Sequence, residues 1–216
     1  MKIQIITLFP EMFEGVLGNS MLWKASDRGI ATYEIINLRD FGLGPRKQVD
    51  DTPYGGGDGM LLMIEPLVAA IEQAKSKSKE AKVILPTPRG KVYKQSDAKK
   101  LAADGRDLII VCPRYEGYDE RVNEWVDEQF CIGNYVLTGG ELPAMIIVDS
   151  VVRLLPGVLG GETSAEIESF QTDDENIEFP QYTRPEDFNG LKVPPVLLSG
   201  HHGDIDKWRH EQSHKS

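Results

Sequence analysis

The chain has 216 residues, 40% of them hydrophobic and 27% charged, with a formal net charge of −10. That length and composition suit one large globular domain with at most a short appendage. They exclude a membrane span, since no apolar run approaches the ~20 residues such a helix needs, and the acidity, taken alone, argues against a phosphate-binding protein, although it does not veto a local basic groove.

The predicted elements alternate strand and helix. Ile3 to Leu8 is a near-continuous apolar run, as expected of a strand covered on both faces. With no small-residue cleavage site beside it, this start reads as a first strand and not as a signal peptide. Pro10 to Leu17 and Met21 to Arg28 read as helical, the second stopped by Gly29. Ala31 to Leu38 alternates as a strand. Arg39 to Met60 is aperiodic and interrupted by glycine and proline, which predicts a loop. Glu65 to Lys77 is a helix with Pro66 in its first turn, and Lys82 to Leu85 a short strand. Ser96 to Ala103 is a helix with Ser96 as N-cap. Asp107 to Cys112 is a buried strand, Asp119 to Val126 a helix, Glu128 to Ile132 a strand and Glu141 to Leu155 a long apolar helix. Pro156 to Pro180 is rich in small and acidic residues without a period, and reads as a linker or mobile loop. A last helix starts near Asp204. The pattern predicts an α/β fold, a mostly parallel sheet with helices on both faces. Cys112 and Cys131 lie in apolar contexts and read as buried thiols of a reducing cytoplasm.

Ligands of such sheets sit at the carboxyl ends of the strands. Those ends carry Thr87-Pro88-Arg89-Gly90, Pro113-Arg114-Tyr115-Glu116-Gly117 and Thr138-Gly139-Gly140. The stretch from Ile132 to Leu142 is the most informative. Its paired glycine lets backbone amides and carbonyls approach a flat ligand, and the helix behind it offers free N–H groups and a positive dipole end. That predicts a small-molecule seat built mainly from main chain, hence a cofactor-using enzyme.

Tyr54 to Met60 holds four glycines. It lacks the Lys-Ser/Thr ending of a phosphate-binding P-loop and the Gly-x-Gly-x-x-Gly of a dinucleotide site. A tight turn, or backbone approaching a ligand or base, remains. Arg114 to Gly117, followed by Asp119-Glu120-Arg121, is either surface ion pairing or a site that orients a polar substrate. Arg153 falls near the end of the apolar helix, where a cation also suits the dipole. Glu168, in the polar linker, is a solvated acid or a general base. His201 and His202 have no partner at zinc-ligand spacing, and no nucleophile elbow supports hydrolysis.

These blocks, together with Ile5 to Phe13, Val49 to Gly57, Gly139 to Ala144, Pro156 to Gly160, Tyr182 to Pro185 and Val193 to Gly200, give the chain a resemblance. It resembles the bacterial tRNA (guanine-N1)-methyltransferase family, TrmD, of the SPOUT class. The resemblance implies a trefoil-knotted domain over 1–160, a mobile linker over 161–180 and a shortened C-terminal tRNA-binding segment over 181–216. It implies a cytoplasmic homodimer with active sites at the subunit interface. It also implies S-adenosylmethionine as methyl donor, magnesium possible through Glu116, and methylation of N1 of the guanine at tRNA position 37. Carried over by position, the cofactor residues are Thr87, Pro88, Pro113, Tyr115, Glu116, Gly117, Ile132, Gly133, Asn134, Tyr135, Val136, Leu137, Gly139 and Gly140. The substrate residues are Tyr54, Gly55, Gly57, Asp58, Arg114, Ser169, Arg184 and His201, and the catalytic pair is Glu168 as base and Arg153 as stabiliser of developing charge. Three residues depart from the family pattern. Glu168 stands for an aspartate, Pro113 for a glycine, with loss of an N–H, and Asn134 for an aspartate. The chain also ends at Ser216, short of the family's usual helical extension. The rival readings are a SPOUT module that binds RNA or nucleotide with weakened catalysis, and a SPOUT methyltransferase with another RNA target.

Overall fold

The structure, a computed structural model, describes residues 1–160, 168–170 and 177–213. The chain forms two compact units, Met1–Gly160 and Gly161–Ser216. Most of the linker foreseen at 161–180 lies outside the described residues.

The first unit is built on a five-stranded, wholly parallel sheet. Its strands are β1 (Lys2–Thr7), β2 (Thr32–Asn37), β5 (Lys82–Val92), β6 (Leu108–Val111) and β7 (Glu128–Cys131), in the order β2-β1-β6-β5-β7. A separate two-residue pair, β3 (Asp50–Asp51) and β4 (Leu61–Leu62), is antiparallel. Successive side chains point to opposite faces of a strand, and both faces are covered. Ile3, Ile5, Ile84, Leu108 and Ile110 pack into one core. That core includes residues of α2 (Ser20–Asp27), α4 (Gln95–Asp104) and α5 (Glu141–Val152). Ile6, Val83, Leu85, Ile109 and Val111 pack into the other, under Leu67, Ala70, Ile71 and Ala74 of α3 (Ile64–Lys77). Each such side chain stabilises the fold by about 1.5–3 kcal/mol on full burial.

Five expectations are corrected. The segment Pro10 to Leu17 is a 3₁₀ turn, Pro10–Phe13, running into a single α turn, α1 (Glu14–Leu17). The loop foreseen from Arg39 to Met60 starts inside a 3₁₀ turn, Leu38–Phe41, and includes β3. Asp119 to Val126 is 3₁₀ over Glu120–Trp125, capped by the Asp119 carboxylate accepting from the Arg121 N–H at 3.0 Å. Strand β5 does not stop at Leu85 but continues through Thr87 to Gly90 as an irregular bulge, its register against β7 shifting between Pro86 and Lys91. Ser96 is also not the N-cap of α4. Lys94 is, with its N–H donating to the Asp97 carboxylate at 3.1 Å.

In the second unit, β8 (Asp187–Phe188) and β9 (Leu191–Lys192) form a hairpin, followed by α6 (Pro195–Leu198) and α7 (His202–Gln212). The last helix starts two residues before the expected Asp204. Tyr182 and Trp208 pack ring to ring at 6.3 Å, and the Arg209 guanidinium stacks on Phe179 at 4.9 Å.

Candidate active site at the carboxyl ends of the strands

Strands β6, β5 and β7 lie side by side and run the same way, so their carboxyl ends open on one edge. The bulge in β5, the turn after β6 and the loop after β7 enclose a cleft of about 590 Å³. Small-molecule sites span about 300–1,000 Å³. Pro86, Phe130, Ile132, Leu137 and Pro143 give it mostly apolar walls.

The paired glycine closes it from main chain, with the Gly140 N–H donating to the Pro113 carbonyl at 2.8 Å. A methyl on Gly140 would collide with the Pro113 ring and come within 2.8 Å of the Cys112 Cα. Both obstacles are backbone or ring atoms that cannot swing aside. Gly140→Ala is therefore expected to cost about 1–3 kcal/mol by overpacking, leaving the protein folded. The distortion falls on the cleft, so calorimetry should show the affinity for the methyl donor that the resemblance implies, S-adenosylmethionine, weakened about tenfold or more. An unchanged affinity would mean that the close approach has no bearing on the cleft.

A buried polar network holds the same loop from behind. Glu141, the first residue of α5, is only 1% exposed. Its carboxylate accepts from the Thr7 hydroxyl at 2.8 Å, and Thr7 Oγ1 in turn accepts from the Phe9 N–H at 2.9 Å. The other carboxylate oxygen lies 2.8 Å from Arg114 Nε. The N–H does not point along that line, so the contact is an ion pair and not an aligned hydrogen bond. The Arg114 guanidinium also donates to the Thr138 carbonyl at 3.3 Å and to Met12 Sδ at 3.2 Å, and it stacks on Phe9 at 4.4 Å. Burial, and next the Glu141 charge, push the neighbouring Cys112 thiol well above its ordinary range. The network ties the ends of β1 and β6 to the loop after β7.

Of the residues expected to bind cofactor, all but Asn134 line this cleft. Asn134 is exposed within the same loop. Arg114, expected to hold substrate, lines the cleft too, but its guanidinium is engaged by Glu141, Thr138, Met12 and Phe9. The glycine loop carrying Tyr54, Gly55, Gly57 and Asp58 is anchored beside the cleft. Glu116 N–H donates to the Met60 carbonyl and Leu62 N–H to the Gly117 carbonyl, both at 3.0 Å. Tyr54 is fully exposed. Tyr115 donates its hydroxyl to the Asp50 carboxylate at 3.2 Å, and partial burial, then Asp50, raise its phenol pKa. Arg153 caps the far end of α5, half-buried.

Glu168, Ser169, Arg184 and His201 belong to the second unit. There Ser169 Oγ accepts from the Glu178 N–H at 3.1 Å, and His201 Nδ1 lies 3.8 Å from the Asp204 carboxylate. Sequence reasoning missed Phe130 and Cys131 in the cleft wall because buried strand residues carry no site signal. It also missed Tyr118, which stands in the charged block after Arg114 and could have been found there; Glu120, named in that block as part of a possible polar site, does line the cleft. Among the described residues no three His, Cys, Asp or Glu side chains gather as a metal cluster.

A protein-family model described as tRNA (Guanine-1)-methyltransferase TrmD matches residues 1–216. The chain belongs to this tRNA (guanine-1)-methyltransferase family. A family member from Halalkalibacterium halodurans, a tRNA (guanine-N(1)-)-methyltransferase, is 53% identical, over 100% of this chain and 87% of its own length. Another from Geobacter sulfurreducens is 50% identical, over 99% of this chain and 86% of its own. The crystal structure of the tRNA (m1G37) methyltransferase from Aquifex aeolicus superposes with a TM-score of 0.82 at 34% identity, covering 98% of this chain and 89% of that one. Like these relatives, the chain is an enzyme of the family, and it shares their α/β fold. No described helix is long and apolar enough to cross a membrane.

Proposed function

We propose that the protein transfers the methyl group of S-adenosylmethionine to N1 of the guanine at position 37 of tRNA, in the cytoplasm. One observation carries the reading. The blocks that bear the family resemblance, Arg114 to Arg121 and Gly139 to Ala144, are also segments that wall the cleft. The cleft's size, apolar walls and main-chain edge fit an adenosyl group with a short polar tail, and the segments 113–117 and 132–140 would hold it. When bound, the donor supplies an electrophilic methyl group on a sulfonium.

The chain's own residues then have to make guanine N1 nucleophilic. At neutral pH that nitrogen carries a proton. Glu168 takes it as general base, a role worth about 10²–10⁴ in rate. Arg153 places its guanidinium at guanine O6, where negative charge develops as the proton leaves, which is worth about 10²–10³. Glu116, which lines the cleft, is the carboxylate available to a magnesium ion held otherwise through water. No step is assigned to the ion.

The reading needs two protomers. Helix α5 starts at the cleft and has 12 residues, so Arg153 at its far end stands about 18 Å from that cleft. An arginine side chain cannot span that distance, so the Arg153 serving one cleft comes from a second copy. Leu142 and Ile146, one turn apart on α5, and Tyr135 and Val136 in the adjoining loop are exposed apolar side chains that a second copy would cover.

The test is radiolabelled methyl transfer to unmodified tRNA carrying guanines at positions 36 and 37, followed by mapping of the product. Label on N1 of guanine 37 is expected. Label elsewhere would assign another RNA target. No label with intact donor binding would make the chain an RNA-binding module.

A further inference from the structure

A second hollow, of about 290 Å³, lies outside the cleft and is lined by Arg39, Arg46, Lys47, Gln48, Asp50 and Met60. Three cations converge there on a chain whose net charge is −10. Arg46 and Lys47 sit on a tight turn pinned by paired backbone hydrogen bonds, Leu43 N–H to Gln48 carbonyl at 2.7 Å and Gln48 N–H to Leu43 carbonyl at 2.9 Å. Lys47 is engaged with Asp40 at 2.9 Å. Arg46 is exposed, and among the described residues it has no carboxylate within ion-pair distance. The acid in the hollow, Asp50, accepts from the Tyr115 hydroxyl at 3.2 Å, and the Arg39 guanidinium also stands against that hydroxyl. Tyr115 lines the cleft. One residue therefore joins the two concavities, and the glycine loop from Gly55 to Gly59 follows the hollow in the chain.

We propose that this hollow seats a backbone phosphate of the RNA, adjacent to the nucleotide that enters the cleft, with Arg46 and Arg39 as its ligands. This rests on the reading of the cleft as a tRNA-methylating site. The chemistry is specific in kind. Arginine presents a planar fork of donors that matches phosphate oxygens, and an unpaired one loses no existing partner on binding. Phosphate contacts of this sort set the register of the nucleic acid without reading its bases.

The experiment measures tRNA affinity and the Michaelis constant for tRNA as functions of salt, for the wild type and for Arg46→Ala, Arg46→Lys and Arg46→Glu. Thermal unfolding serves as the folding control, since Arg46 supports no other described contact. Arg46→Ala is expected to raise the Michaelis constant for tRNA several-fold. It should reduce the slope of log affinity against log salt by about 0.7–0.9, the value of one phosphate contact. Arg46→Glu should be worse, and Arg46→Lys should restore most of the slope. A wild-type slope and Michaelis constant in Arg46→Ala, with tRNA still methylated, would overturn the phosphate seat and leave the cleft reading standing. A wild type that neither binds nor methylates tRNA would overturn both.

Discussion

Glu141→Ala is expected to be the most damaging single change in the first unit. The carboxylate holds three things at once, namely the Thr7 hydroxyl, the Arg114 guanidinium and the positive end of α5. Arg114 is only 17% exposed at its side chain. Without its partner it becomes a largely buried, uncompensated charge, and losing one member of a buried pair typically costs 3–5 kcal/mol. Against a total stability of roughly 5–15 kcal/mol that is a large share. For a unit of this size it lowers the melting temperature by roughly 6–20 °C. The functional consequence follows from what Arg114 touches. Released from Glu141, it can swing away from the Thr138 carbonyl, and the loop after β7 loses its inner support. Donor affinity should fall together with stability. Glu141→Gln keeps the shape and can still accept from Thr7, so it should retain more of both. Scanning calorimetry and titration with S-adenosylmethionine give the two readings. A melting temperature within 2 °C of wild type, with unaltered donor affinity, would contradict this account.

The network also marks the boundary of what the sequence discloses. That Glu141 opens a helix and that Arg114 follows a buried strand can be read from apolar runs and glycine positions. That the two meet, with Thr7 as third member, cannot, because no spacing rule connects positions separated by 27 and 134 residues in the chain. The cleft was legible for a simpler reason. A parallel sheet puts all its carboxyl ends on one edge, so locating three strand ends was enough to bring their loops together. The β5 bulge was missed because Pro86 and Pro88 argue against a strand. Prolines are tolerated at bulges, and this strand resumes pairing with β7 at Lys91. Residue type alone favours Ser96 as the cap, but the reciprocal partner, Asp97, stands three residues after Lys94 and selects it. The Asn189-Gly190 turn was a readable signal, since both residues have positive φ and join β8 to β9.

Mixing two defective variants, with donor held well below the Gly140→Ala dissociation constant, is expected to give about one quarter of wild-type activity. Arg153→Ala should lower turnover by about 10²–10³ while sparing donor affinity, because the proposed role sets its guanidinium against the guanine and not the donor. Gly140→Ala has the opposite defect, an intact Arg153 and a cleft that binds donor poorly. In a site assembled from one protomer's cleft and its partner's arginine, the mixed dimer has one site with both parts sound and one with neither. Random pairing of equal amounts makes about half the dimers mixed, each with one working site of two, hence about a quarter overall. If instead each protomer completed its own site, every site in the mixture would carry a defect and the activity would stay at the level of the parents. Glu168→Ala paired with Gly140→Ala puts the same question to the base. Recovery there assigns Glu168 to the partner's cleft, and no recovery assigns it to its own. Co-expression with two tags, isolation of the mixed dimer, in which about half of wild-type activity is expected, and single-turnover methyl transfer separate these outcomes. They do so without depending on how tightly either variant holds tRNA.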